Sequence, residues 1–227
     1  MFKIIPNLIW ETSERQLGDC RINPDKFLET LGLTKDNLVL AQQIHGNRIR
    51  IVGTKEKGLT ISGTDGLITQ IPGVILGIHT ADCLPVLFYE PVAKVIGACH
   101  AGWKGALTKL PQKMVDRLIL TGAHPENIIV AIGPHICRKC YEVKPDMVQK
   151  FVKEFGQLSG MLVKKNDKIY LDLAVPVIFQ LTNSGIQKQN ILMSEDCTSC
   201  NNDQYFSYRK DTKDSYGEML SVISLIK

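Results

Sequence analysis

The sequence predicts an α/β (α+β) fold, a single-domain layered sandwich of mixed sheets with flanking helices, and three observations lead there. Short Val/Ile/Leu-rich runs recur over residues 65–101, broken at Pro72-Gly73, Asp82 and Glu90-Pro91, as strands buried on both faces should be. Stretches with apolar residues at helical spacing follow those runs, so strands and helices are interspersed along the chain. No fixed-period repeat, low-complexity tract or Gly/Ser linker offers a boundary, and 227 residues can bury a substantial core, so residues 1–227 are expected to form one domain.

Residues 1–20 mix polar and apolar positions without a clear period. Asn23 and Pro24 can open a short amphipathic helix through NPDKFLETLGL that stops near Gly32. DNLVLAQQIHG reads as a strand entering a turn at Gly46, and NRIRIVGT alternates as a half-buried strand does. The apolar runs of residues 65–101 supply the central strands. A helix is expected from Gly105 to Ala123, carried by Met114, Val115, Leu118 and Ile119 and stopped by Gly122. NIIVAIGPHI is another buried strand, KPDMVQKFVKEFG another amphipathic helix, and YLDLAVPVIFQLTNSGI a short strand leading to a helix that begins near Ala174 to Pro176. ILMSEDCTS and QYFSYRK read as closing strands.

Composition excludes several classes. Hydrophobic residues at 44% and charged residues at 22% suit a soluble globular chain and not a disordered one. Lys and Arg number 27 against 23 Asp and Glu, and they are dispersed, so the electrostatic footprint of a nucleic-acid binder is missing. MFKIIPNLIW is interrupted by Pro6 and Asn7 before any h-region of ~7–15 residues can form. No apolar run approaches the ~18 residues needed to span a bilayer. A cytoplasmic monomer without a membrane partner is the expectation. Seven cysteines without an export signal favour thiols or metal ligands over a disulfide framework.

Three residues of metal-ligand type, His45, Cys83 and His100, sit in QQIHGNRI, HTADCLPV and CHAGWKG. Three protein ligands leave the fourth corner of a tetrahedral zinc open, as catalytic zinc requires. Their separations, 38 and then 17 residues, are uninformative by themselves. Asp82 could orient a ligand, hold a proton or act as general base to an activated water, and Arg48 and Lys104 could hold an anion nearby. Against this, a lone Cys in a Val/Leu-rich run is commonly a small core residue, and His79 could replace either histidine. Cys99 and His100, adjacent in a strand, should point to opposite faces. Four further cysteines form two CxxC pairs, Cys137/Cys140 and Cys197/Cys200. The 56 residues between them far exceed the ~15–20 of a compact zinc ribbon, which argues against a structural zinc, while a redox role stays open. GACHAGWKG lacks the Ser or Thr of a P-loop, and HExxH, GxGxxG and GxSxG are absent, as is the HxE with PCxxC of common nucleobase deaminases.

The ordered series QQIHG, SGTDGLIT, IPGVILGIHTADCLPVLFYEP, VIGACHAGWKG, AIGPHI, CYEV, YLDLA, EDCT and FSYRKD resembles the YfiH-type family, also called laccase-domain proteins or purine nucleoside phosphorylases. The resemblance implies His45, Cys83 and His100 as zinc ligands, a single α/β domain, and action on purine nucleosides. That action comprises phosphorolysis of adenosine, inosine, guanosine or methylthioadenosine, and deamination of adenosine. In deamination, zinc would acidify a water toward a pKa of ~7 for attack on the purine carbon bearing the amine, with Asp82 moving protons. In phosphorolysis, Arg48, Lys104 or Arg209 would hold phosphate. The family is also linked to copper-dependent polyphenol oxidation and to editing of peptidoglycan precursors, the latter a role in which Cys83 would serve as nucleophile. Five histidines are too few for a multicopper laccase cluster. A non-enzymatic zinc or thiol-redox role carried by the CxxC pairs is the remaining alternative. One departure stands out: Glu218 follows Gly217 where the family often has Arg, leaving Arg209 or Lys210 to supply the missing positive charge.

Overall fold

A computed structural model describes residues 5–226; residues 1–4 and 227, part of the expected 1–227 domain, lie outside the described residues. Fourteen strands among the described residues form three sheets, two of them mixed and the smallest antiparallel. They are β1 (Leu8–Thr12), β2 (Leu38–Ala41), β3 (Ile49–Ile51), β4 (Thr60–Ile61), β5 (Gly66–Thr69), β6 (Ile75–Thr80), β7 (Leu84–Glu90), β8 (Val95–Ala101), β9 (Ile129–Ile132), β10 (Glu142–Val143), β11 (Leu162–Lys165), β12 (Lys168–Leu171), β13 (Ile191–Met193) and β14 (Met219–Leu225). Five α-helices accompany them: α1 (Asp25–Thr30), α2 (Trp103–Leu107), α3 (Leu110–Ile119), α4 (Pro145–Phe155) and α5 (Ala174–Asn183).

The main sheets have strand orders β1-β14-β6-β2-β4 and β13-β9-β7-β8-β5-β3, and a small sheet β10-β12-β11 stands apart. Period-two alternation sorts their side chains between layers. From β7 and β8, Leu84, Val86, Phe88, Val95, Cys99 and Ala101 pack against the helices through Met114, Val115 and Leu118 of α3 and Val177 and Leu181 of α5. Leu87, Tyr89, Ile96 and Ala98 turn the other way and meet Trp10, Leu76, Ile78 and Ile223 of the five-stranded sheet. The outer face of that sheet, Leu38, Ile75, Leu220 and Val222, is covered by Phe27 and Leu28 of α1. The result is a helix–sheet–sheet–helix sandwich, the layered α+β architecture expected, with β6 and β7 buried almost throughout because both their faces meet a neighbouring layer.

Two expectations are corrected. QYFSYRK is not a strand: Tyr205, Phe206 and Ser207 are buried in succession, and Ser207 N donates to Asp211 while Asp211 N donates back to the Ser207 carbonyl, closing a tight loop. The closing strand is β14, threaded between β1 and β6. The helix expected from Gly105 to Ala123 is two helices, α2 and α3, separated at Lys109, whose φ of 59° is left-handed, with Pro111 in the first turn of α3. No helix among the described residues is long and apolar enough to cross a membrane.

Candidate metal centre and active site

The chain crosses from one main sheet to the other between β6 and β7, through Ala81, Asp82 and Cys83 alone. This crossing puts Cys83 at one end of the inter-sheet space, where the C-terminal ends of β2, β6 and β8 also arrive. His100 sits on β8, on the same side as Ile96 and Ala98, whereas Cys99 points into the helix-facing core. His45 lies in the turn after β2. Ligand atoms of His45, Cys83 and His100 all lie within 4.8 Å of one another, and the two imidazole centroids are 4.7 Å apart.

The turn carrying His45 is held from both sides. Gln43 Nε2 donates to the His79 carbonyl (2.7 Å) and the His79 N–H donates back to Gln43 Oε1 (2.8 Å), joining the end of β2 to β6. Asp65, wholly buried, accepts from Ile44 N (3.1 Å) and Gly46 N (2.8 Å) on one oxygen and contacts His100 Nδ1 (3.0 Å) with the other. One carboxylate thus fixes the backbone of one ligand turn and the ring of a second ligand, the arrangement in which a carboxylate orients a metal-binding imidazole. Asp65 falls inside SGTDGLIT, yet sequence reasoning gave it no role. Its signal was a polar residue opening an apolar strand.

His45 and Asp82 are held in left-handed backbone, φ 56° and 85°, which costs about 1–3 kcal/mol for a residue with a Cβ and clusters at functional sites. Gly102 closes the floor. A Cβ there would meet Cys83 Sγ at 3.0 Å and His45 Nδ1 at 3.1 Å, so glycine lets the backbone lie against these side chains without displacing them.

Electrostatics follow from this packing. Burial alone would lower His100, but the negative charge of Cys83 and hydrogen bonds to Asp65 and Cys83 outweigh it and push the imidazole up to about 9. Burial works to raise Asp65, and the bonds from His100, Gly46 and Ile44 overcome it and hold the carboxyl below its ordinary value. Partial burial and the neighbouring charge of His100 lower His45, favouring the neutral form that binds metals. Two imidazoles and a thiol with an orienting carboxylate fit a tetrahedral first-row ion with one corner left open.

His45, Cys83 and His100 line a cavity of about 640 Å³, a common size for small-molecule sites. Trp103, Tyr141 and Tyr208 give it aromatic surface, and Arg21, Lys104 and Arg209 give it positive charge. Burial and the charge of Cys83 push the Tyr141 phenol up to about 12, so it remains a donor. His79 also lines the cavity, and its Nε2 has no hydrogen-bond partner within the protein; burial keeps the ring neutral. A larger groove of about 900 Å³ borders β1 and β13, but Glu11, Glu14, Glu195 and Asp196 line it and no Lys, Arg, His or Cys does, so it offers no cation to an anionic ligand.

Other expected residues fall as follows. Asp82 lines the cavity, but its Oδ1 accepts from Thr198 Oγ1 (2.6 Å) and its Oδ2 from Arg209 N (2.7 Å), so both oxygens brace the cavity wall. Arg209 reaches the cavity with Nη1 on the Glu142 carbonyl (3.1 Å) and its guanidinium over Tyr141. Lys104 lines it beside Trp103. Arg48 does not line it: the side chain is exposed and its guanidinium lies against Gly63. Lys210 is also outside it. Glu218 is a lining residue that accepts from Tyr216 OH (2.6 Å), and Arg21, ion-paired with Asp19 (2.6 Å), is stacked 4.6 Å from the Tyr216 ring centroid on that side. Arg21 lies in the first twenty-five residues, outside every recognised motif, so nothing in the sequence marked it.

Residues 14–226 match the family described as multi-copper polyphenol oxidoreductase laccase. The chain belongs to this family. It is 34% identical over 203 residues to a purine nucleoside phosphorylase of Deinococcus radiodurans, covering 89% of this chain and 76% of that one. It is 30% identical over 189 residues to the adenosine deaminase RL5 of an unknown prokaryotic organism, covering 79% and 72%. The crystal structure of YlmD from Geobacillus stearothermophilus superimposes with a TM-score of 0.88 at 28% identity, over 98% of this chain and 93% of that one. The shared fold with YlmD thus extends over nearly all of both chains.

Proposed function

We propose that this laccase-domain chain is a purine nucleoside phosphorylase with adenosine deaminase activity, acting on adenosine, inosine, guanosine or methylthioadenosine with zinc at His45, Cys83 and His100. The observation that carries the reading is the convergence of those three ligand atoms within 4.8 Å at the mouth of an aromatic, positively rimmed cavity. The names of the relatives support the substrate class. Zinc held there supplies a Lewis acid with an open position.

The protein's own groups do the rest. Trp103, Tyr141 and Tyr208 offer flat faces to a purine, and Arg21, Lys104 and Arg209 neutralise phosphate beside the ribose. In phosphorolysis a phosphate oxygen bonds to the anomeric carbon as the glycosidic bond breaks and its electron pair returns to the purine. In deamination water adds at the purine carbon and ammonia leaves. Asp82 acts by holding Arg209 and the Thr198 loop in place.

Zinc-loaded protein incubated with adenosine yields inosine without phosphate, and adenine with ribose 1-phosphate when phosphate is added; Cys83→Ala abolishes both. Undiminished turnover in that variant would overturn the site assignment. The contact between Cys83 and His100 also suits a thiol nucleophile in an amide hydrolase acting on peptidoglycan precursors. Alkylation separates the two readings: a zinc ligand is protected until chelator is added, whereas a free nucleophile reacts at once.

A further inference from the structure

The two CxxC pairs that seemed too distant in sequence are brought together by strand pairing. β9 and β13 are parallel neighbours in register Ile191↔Val130 to Met193↔Ile132, and a parallel bridge between His135 and Cys197, one residue out of that register, continues the pairing. Each strand then leads into a CxxC turn, and all four Sγ atoms of Cys137, Cys140, Cys197 and Cys200 lie within 4.8 Å of one another. Four sulfurs at ~2.3 Å from one tetrahedral ion stand about 3.8 Å apart. The Cys140 and Cys200 sulfurs are 3.4 Å apart, within reach of that spacing by small side-chain rotations and well beyond a disulfide bond of ~2.05 Å.

The turns are wound to receive charge on sulfur. Cys137 N donates to Cys197 Sγ (3.2 Å), the N–H of Cys200 also points at Cys197 Sγ, and the N–H of Lys139 points at Cys137 Sγ. Cys140 N and Tyr141 N both close on the Cys137 carbonyl, and Asn201 N closes on that of Cys197, so both knuckles have tight backbones. Arg138 and Lys139, exposed between the first two cysteines, sit where a tetrathiolate centre of net charge −2 would need compensation.

We infer that Cys137, Cys140, Cys197 and Cys200 form a second metal site, a closed structural zinc of four thiolates distinct from the open site at Cys83. Binding converts four thiols to thiolates, releases four protons and involves no redox change. Its place in the fold gives it work: Ile136 N donates to the Asp82 carbonyl, Tyr141 lines the cavity, and Thr198 holds the Asp82 carboxylate, so the zinc ties together two loops that form one wall of the active site. The inference stands whether or not the chain acts on nucleosides.

The test uses the whole protein, purified under reducing conditions with zinc present. Wild type is expected to hold two zinc ions per chain, Cys83→Ala one, and that one should leave Cys137, Cys140, Cys197 and Cys200 protected from alkylation until a chelator is added. Cobalt exchanged into Cys83→Ala should give the absorption of a tetrahedral tetrathiolate centre. Cys140→Ser with Cys200→Ser should lose one zinc and melt about 5 °C or more below wild type. A Cys83→Ala protein free of zinc, one whose four cysteines are isolated as disulfides, or one containing iron in place of zinc would overturn the inference, and none of these results depends on the double variant folding.

Discussion

Gly102→Ala isolates ligand geometry from every other property of the open site. Gly102 caps α2 with φ −73° and ψ 176°, a conformation any residue adopts, so the substitution adds no backbone strain. The added methyl would stand 3.0 Å from Cys83 Sγ, 3.1 Å from His45 Nδ1 and 3.5 Å from His100 Cε1, against the ~3.5–4.0 Å of comfortable contact. His45 is exposed and Cys83 half-buried, so both can move outward by about 0.5 Å, and the cost in stability stays near the low end of overpacking, ~1 kcal/mol. The metal tolerates less: ligand distances in zinc sites hold to about ±0.2 Å. Displacing two of three ligands should weaken zinc at this site by about 10–100-fold, the range seen when groups supporting a metal are lost, which is about 1.4–2.8 kcal/mol. Competition with a chromophoric chelator, following the equivalent of zinc that Cys83→Ala removes, measures this, with the apo proteins melted in parallel. An apo variant that melts like wild type and binds that equivalent equally tightly would refute the claim that the three ligands converge over Gly102.

Asp65→Asn should reduce zinc affinity about 10–100-fold and free the His45 turn, because one carboxylate serves both ligands; chelator competition and amide exchange at Ile44 and Gly46 report the two effects separately. Asp82→Asn puts an amide donor against either Thr198 Oγ1 or Arg209 N, and should cost about 1–3 kcal/mol in chemical denaturation while leaving the acid limb of the pH–rate profile in place; loss of that limb would restore Asp82 as a proton carrier. Asp211 is raised by burial but lowered more by bonds from Asn202, Ser207 N and Arg15, so its folded carboxyl lies below the ordinary 3.8. Its stabilisation is therefore fully present above pH ~4 and lost as pH falls through the folded value. Asp211→Asn should be about 1–3 kcal/mol less stable at neutral pH, with the gap closing below pH 4 in urea titrations.

The central strands were readable because burial on both faces demands unbroken apolar runs, and the candidate ligands because His45, Cys83 and His100 stood in or at the ends of those runs beside Gly, Asp or Pro. What stayed hidden depended on partners distant in sequence. Asp65 acquires its role from the antiparallel pairing Gly66↔Cys99, which places it beside His100. The four cysteines meet only through the parallel register of β9 and β13. QYFSYRK carries strand-forming aromatics, but the Asp211 carboxylate curls that segment onto itself, and the role of closing strand passes to β14. Arg48 sits only three residues from His45, yet the left-handed turn at His45 sends it to the far side of Gly63.

The insertion of β14 between β1 and β6 has a kinetic consequence. Thr12 and Ser221 share a hydrogen bond across 209 residues of chain. Among the described residues β1 pairs with no other named strand, and the outer-layer helix α1 packs partly on Leu220 and Val222. During synthesis the six-stranded sheet can assemble while the five-stranded one waits for residues 219–225 to emerge, leaving β6 with an open edge until then. Folding of this chain should thus include a late zipping step that completes the sheet and shuts off a surface prone to pairing with other nascent chains.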